Sequence, residues 1–173
     1  ECVGIQGASG AGKTTLFNVM LGFFPLQGGR IVIDGKPLTL SNRKAWHQIV
    51  GYVPQEIFIL QASLADNVAL GSPQVDRKRI LEVLEQVQLK DFVDSLPDGI
   101  DTSLGEAGGR LSGGQKQRLS IARAVFKNAE IMIFDDTFSA LDYKTDMLVR
   151  KATPSKLNNN IIVSFTVSLS LIS

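Results

Sequence analysis

Gly7-Ala8-Ser9-Gly10-Ala11-Gly12-Lys13-Thr14 follows an apolar run, Cys2-Val3-Gly4-Ile5, and leads into Thr15-Leu16-Phe17-Asn18-Val19-Met20, which reads as part of a helix of about 13–22. Strand, glycine-rich turn and helix in this order, spaced G-x-x-x-x-G-K-T, make the pattern of a phosphate-binding loop. Its glycines let backbone N–H groups turn inward around phosphate oxygens, and Lys13 brings a point charge for the β- and γ-phosphates. The helix start adds unpaired amide donors and the positive end of its dipole. The Thr14 hydroxyl suits Mg²⁺, which takes oxygen ligands. A glycine-rich turn that caps a helix and binds nothing is the bland alternative; the strand before it and the helix after it weigh against that.

Outward from this loop, strands and helices alternate. Arg30-Ile31-Val32-Ile33 ends at the turn Asp34-Gly35, and Val50-Gly51-Tyr52-Val53 is a short strand stopped by Pro54. Residues 76–96 keep an apolar stripe at helical spacing through Ile80, Leu81, Val83, Leu84, Val87 and Leu89, until Pro97-Asp98-Gly99. A helix is expected over about 115–127 and another over 142–152. Ile131-Met132-Ile133-Phe134 is continuously apolar, as a strand buried on both faces should be, and ends in Asp135-Asp136. Ile161-Ile162-Val163-Ser164-Phe165 reads as a last strand. The expected class is α/β with a mostly parallel sheet flanked by helices.

Ligands of open parallel sheets sit outside the carboxyl ends of the strands. Asp135, at such an end, is placed to hold Mg²⁺ through water, facing the phosphate loop; this is the Walker B arrangement. A strand ending in an acid is common, so the pairing with residues 7–14 carries the weight. Leu111-Ser112-Gly113-Gly114-Gln115 opens the helix of Ile121, Ala122 and Val125. The Ser112 hydroxyl and free N–H groups at that helix start form a second anion-binding edge. One domain with one triphosphate has no use for two such edges. The economical reading gives the second to another domain's nucleotide.

The chain resembles the nucleotide-binding domain of ABC transporters over nearly its whole length, with Leu111–Gln115 as the signature motif. The resemblance implies a P-loop NTPase core at 1–60 and 128–173 and a mainly helical subdomain with the signature helix at 61–127. It implies ATP and Mg²⁺ as cofactors. Nucleotide-binding residues would be Gly7, Ser9, Gly10, Ala11, Gly12, Lys13, Thr14, Thr15 and Gln55. Ser112, Gly113, Gly114 and Gln115 would serve the nucleotide of a second such domain in a head-to-tail dimer. The metal set would be Thr14, Gln55 and Asp135, and the catalytic set Asp136, Gln55 and Lys13. Gln55 matches the Q-loop, which touches the membrane domain, and Ser139-Ala140-Leu141-Asp142 matches the D-loop at the dimer interface. Ser63–Val68, and Leu96–Gly99 followed by Gly105–Gly108, resemble exporter-type members. Partners would then be a second nucleotide-binding domain and the transmembrane domains of an exporter, at the cytoplasmic face of a membrane.

Three departures bear on activity. The family's general base is a glutamate; here Asp136 is shorter by one methylene, about 1.5 Å. A misplacement of about 1 Å can cost ~10²-fold in rate, about 2.7 kcal/mol. The family's switch histidine aligns with Phe165, which cannot hydrogen-bond a γ-phosphate. The adenine-stacking aromatic residue would lie before Glu1. These departures point to a slow or degenerate site of the chain's own beside an intact signature, as in exporters built from two different halves. A heterodimer is therefore favoured over a homodimer in which Asp136 works slowly.

Composition limits the other classes. The 173 residues are enough to bury about 70% of the unfolded surface. A hydrophobic share of 44% argues against disorder, and a net charge of +1 calls for no nucleic acid. One cysteine, Cys2, excludes an internal disulfide framework. No apolar run reaches the ~18 residues of a membrane span. Both ends read as cut, so an excerpt of a longer polypeptide is expected. The alternative functions are an ABC-type ATP-dependent clamp without transport and a non-hydrolysing regulatory domain. His47 is expected on the surface, Trp46 with Arg43 and Lys44 on an amphipathic helix, and Phe23-Phe24 in the core.

Overall fold

The computed structural model describes residues 2–8, 10–135 and 161–166. Strand β1 (Cys2–Gln6) leads through the glycine loop into helix α1 (Lys13–Met20). A small antiparallel hairpin follows, β2 (Val32–Ile33) and β3 (Lys36–Pro37), turned by Asp34 and Gly35, both at positive φ. Helix α2 (Arg43–Ile49) runs directly into β4 (Val50–Val53). Helices α3 (Leu64–Val68), α4 (Arg77–Gln86) and α5 (Lys90–Asp94) and two 3-10 turns precede α6 (Gly113–Phe126), β5 (Ile131–Phe134) and β6 (Ile161–Thr166).

The four long strands make one parallel sheet in the order β1-β6-β5-β4. Order and chain direction require crossovers, so helices cover the faces. On one face Val50 and Ile133 pack with Phe17 and Leu21 of α1 and its end. On the other, Val53, Met132 and Phe134 join the core formed by α3, α4 and α6. Each large apolar side chain removed from water contributes roughly 1.5–3 kcal/mol. The expectation of an apolar strand at 131–134 buried on both faces holds, as does the last strand.

Helix α6 approaches the sheet closely at Gly51. A Cβ there would lie 2.9 Å from the Cβ atoms of both Ala124 and Ala129. Small residues therefore let α6 lie flush on β4.

The single helix expected over 76–96 is two. Gln88 takes a left-handed φ of 56°, and Leu89 N–H turns back to Leu84 O at 2.8 Å. The apolar stripe survives the break because Val87 and Leu89 are both buried. A non-glycine residue in that conformation has no sequence signature, which is why periodicity alone ran through it. Phe23 and Phe24 are not core residues: they are 50% and 49% exposed. His47 is not a free surface residue either. It is half-buried, its Nε2 lies 2.6 Å from Leu21 O, and its ring meets Phe23. Trp46 on α2 is half-buried and donates from Nε1 to Met20 O at 3.0 Å. The helix expected at 142–152 and the matched segment 139–142 lie outside the described residues.

Candidate functional site: a phosphate loop facing a buried carboxylate

Gly10 and Gly12 have φ of 79° and 85°, conformations that a Cβ would strain. Gly12 is the residue before α1, and no side chain accepts a hydrogen bond at this helix start. The first-turn amides of α1 thus keep their donor capacity toward the loop. Lys13 Nζ is folded across the loop and donates to Gly7 O at 2.8 Å and Ala8 O at 2.7 Å. The ammonium is held where an anion in the loop would meet it. Ser9 lies outside the described residues.

Asp135 extends β5 by one residue, with its N–H on Val53 O at 3.0 Å. It is only 2% exposed, so its carboxylate must be hydrogen-bonded. Thr14 Oγ1 donates to Oδ1 at 3.2 Å, across 121 residues of chain. Tyr52 Oη donates to Oδ2 at 3.0 Å. Burial first, then the charge and the bond of Asp135, push the Tyr52 phenol far above its usual range, so it stays a donor. Thr14 and Asp135, both expected at a metal, are thereby brought together. A hydroxyl and a carboxylate are hard oxygen donors, which suits Mg²⁺; that ion commonly takes only one or two carboxylates and fills its shell with water and phosphate. Gln55 follows Pro54 just beyond the end of β4 and is exposed. Asp136 lies outside the described residues. Phe165 belongs to β6, its backbone in register with Ile5.

The second expected edge is at the start of α6. Ser112 is the N-cap, in extended conformation; its Oγ accepts from Gln115 N at 3.3 Å, while Gln115 Oε1 accepts from Ser112 N at 2.8 Å. This reciprocal capping box explains why the helix begins at Gly113 rather than at 115. Ser112, Gly113 and Gly114 are all exposed. A Cβ at Gly113 would meet nothing within 4 Å, and one at Gly114 only Arg118 Nη2 at 4.0 Å. Packing among the described residues therefore does not require glycine at either position.

Sequence reasoning missed two further groups. Tyr52 is one; its signal was a phenol near the end of the strand beside β5. The other is Arg123 of α6, which donates to Phe58 O at 2.6 Å, to Asn67 O at 2.8 Å and to Asn67 Oδ1 at 2.8 Å. Burial lowers its guanidinium to about 10, still charged at neutral pH. Asn67 is fully buried and also bonds Leu60 and Ser63 through its side chain. Arg123 so ties the segment after Gln55 to the signature helix. Beside it a groove of about 400 Å³ opens, lined among others by Phe23, Tyr52, Phe58, Leu70 and Arg123.

The family model described as ABC transporter matches residues 1–139. The chain belongs to this family. It is 36% identical over 168 residues to the ABC-type oligopeptide transporter ABCB9 of Mus musculus, an alignment covering 97% of this chain and 22% of that protein. It is 40% identical over 175 residues to the ATP-dependent lipid A-core flippase of Ralstonia nicotianae, covering 99% of this chain and 30% of the relative. A solved bacterial Atm1-family ABC exporter with ATP bound superposes with a TM-score of 0.87 at 33% identity, over 97% of this chain and 29% of that one. The chain thus spans less than a third of the length of these relatives. As an ABC domain with a parallel sheet it has the fold expected from its sequence. No helix among the described residues is long and apolar enough to cross a membrane.

Proposed function

We propose that this ABC domain binds and hydrolyses ATP as the motor of an exporter, dimerising around nucleotide with a second domain of its kind. The observation that carries the reading is the meeting of Thr14 with buried Asp135 at the mouth of the glycine loop. In this reading the amides of residues 7–15, Ser9 included, cradle the phosphates. Lys13 leaves the carbonyls of Gly7 and Ala8 for the β- and γ-phosphates. Thr14, Asp135 and Gln55 hold Mg²⁺, which supplies charge neutralisation on the phosphates. Asp136 serves as the general base toward the attacking water, with the shorter reach noted above, so the chain's own turnover is slow. A core of residues 1–60 and 128–173 carries this chemistry, and residues 61–127 carry the signature to the partner.

Open space over Gly113 and Gly114 supports a ligand approaching from outside the domain, the nucleotide of a partner. A different second half, rather than an identical one, fits the pairing of a weak own site with an intact signature. Membrane domains would dock on the groove beside Gln55, where Phe58 is 68% exposed and Phe23 half-exposed. In this reading the domain works at the cytoplasmic face of a membrane. The chemistry is tested by equilibrium binding of a labelled ATP analogue with Mg²⁺. Lys13→Ala should weaken binding roughly 10- to 10²-fold, the worth of a hydrogen bond to a charged group. Equal affinity of both forms would make the loop merely structural.

A further inference from the structure

β4 and β5 run parallel with Tyr52 paired to Ile133 and Val53 to Phe134, so their carboxyl ends lie side by side. This register sets the Tyr52 phenol against Asp135, one residue past the end of β5. A carboxylate carries two oxygens on one rotor. Here donors on separate chain segments engage the two: Thr14 from the helix start takes Oδ1 at 3.2 Å, and Tyr52 from the neighbouring strand takes Oδ2 at 3.0 Å. With Oδ2 held, rotation of the carboxylate would break the Tyr52 bond, and Oδ1 stays directed toward the Thr14 hydroxyl.

We infer that Tyr52 is a positioning residue for the divalent cation: its hydroxyl anchors Asp135 so that Oδ1 is presented to the cation together with Thr14. The inference rests on the reading of Thr14 and Asp135 as the metal pair. Groups that orient a metal-binding carboxylate typically change metal affinity 10- to 100-fold when removed. Tyr52 differs from a mere filler of space, because a residue that lines the groove also bonds the Asp135 carboxylate through its hydroxyl. A packing role alone would lower thermal stability and leave the metal titration in place.

The test uses the intact protein with adenylyl imidodiphosphate as nucleotide and Mn²⁺ as the cation, free Mn²⁺ being read by electron paramagnetic resonance. Binding of the nucleotide in EDTA is measured in parallel. Tyr52→Phe should raise the Mn²⁺ concentration for half-saturation about tenfold, with metal-free nucleotide affinity within about twofold of wild type. In an Asp135→Asn background the same substitution should add nothing. Tyr52→Leu, also without the hydroxyl, should reproduce the shift and replaces the phenylalanine form if that one does not fold. A wild-type Mn²⁺ titration in folded Tyr52→Phe or Tyr52→Leu overturns the inference, as does an undiminished shift in the Asp135→Asn background. If Asp135→Asn itself titrates like wild type, the metal-pair reading has failed, and the positioning role falls with it.

Discussion

Two helices of this domain begin at glycines and were both expected to face phosphate, yet they begin differently. α1 is entered through Gly12 in left-handed conformation, with no side chain closing its first turn. α6 is entered through Ser112, which with Gln115 closes its own first turn in a capping box. The first start keeps its donors for a ligand and has a lysine waiting across it. The second already uses the Ser112 hydroxyl and the Ser112 and Gln115 amides in its own cap, so in the proposed reading a partner's nucleotide has to compete with the Ser112–Gln115 pair. The start proposed for the chain's own nucleotide is left open; the one proposed for a partner's nucleotide carries its own side-chain cap.

The comparison breaks most visibly at the second start. Gly114→Asp, or Ser112→Arg, should leave ATP binding at the chain's own loop nearly intact. It should collapse ATP hydrolysis in the assembled transporter: the bulk of the arginine obstructs closure, and the aspartate faces the partner's phosphate, where like charges in a dry interface cost several kcal/mol. Affinity and steady-state hydrolysis measured on the same variant decide it. Loss of binding in a well-folded Gly114→Asp protein would assign both starts to one nucleotide.

A smaller effect sharpens which edge performs chemistry. Asp136→Glu combined with Phe165→His should speed single-turnover hydrolysis in the chain's own site by up to ~10²-fold. A wild type already as fast as the double variant would remove the asymmetry between the two edges.

The smallest effect is on stability. Ser112→Ala removes the cap of α6 and should destabilise the protein by about 1 kcal/mol, seen as a lower denaturation midpoint. Gly12→Ala should cost a similar ~1 kcal/mol through a Cβ at positive φ, but it should also weaken ATP binding, which Ser112→Ala should not. If both variants behaved alike in binding, the two starts would not differ in kind.

Much of this was legible because it is local or because strand order constrains it. Residues 7–14 announce themselves by spacing, and the continuous apolar run at 131–134 announces a central strand. Together they predict that Asp135 faces Thr14 despite a sequence separation of 121. What was not legible depends on three-dimensional register. Tyr52 reaches Asp135 only because β4 lies beside β5 in one alignment. Arg123 is bonded to backbone and side-chain oxygens of Phe58 and Asn67, 65 and 56 residues away, and a carbonyl acceptor has no residue type to read. Phe23 and Phe24 looked like core by composition. Both lie past the end of α1 and are half-exposed, and Phe23 lines the groove rather than a layer between helix and sheet.

The flush contact at Gly51 has a mechanical consequence. Where Ala124 and Ala129 lie against a bare backbone, no long side chain can swing aside to let the helix slide. α6 and the strand leading to Gln55 therefore act as one stiff lever. In the proposed reading, a load applied at the groove, on Phe58 or Tyr52, would be carried by that lever toward Ser112. The reach of the signature from that contact is bounded by the length of a 14-residue helix, about 21 Å at the usual rise per residue.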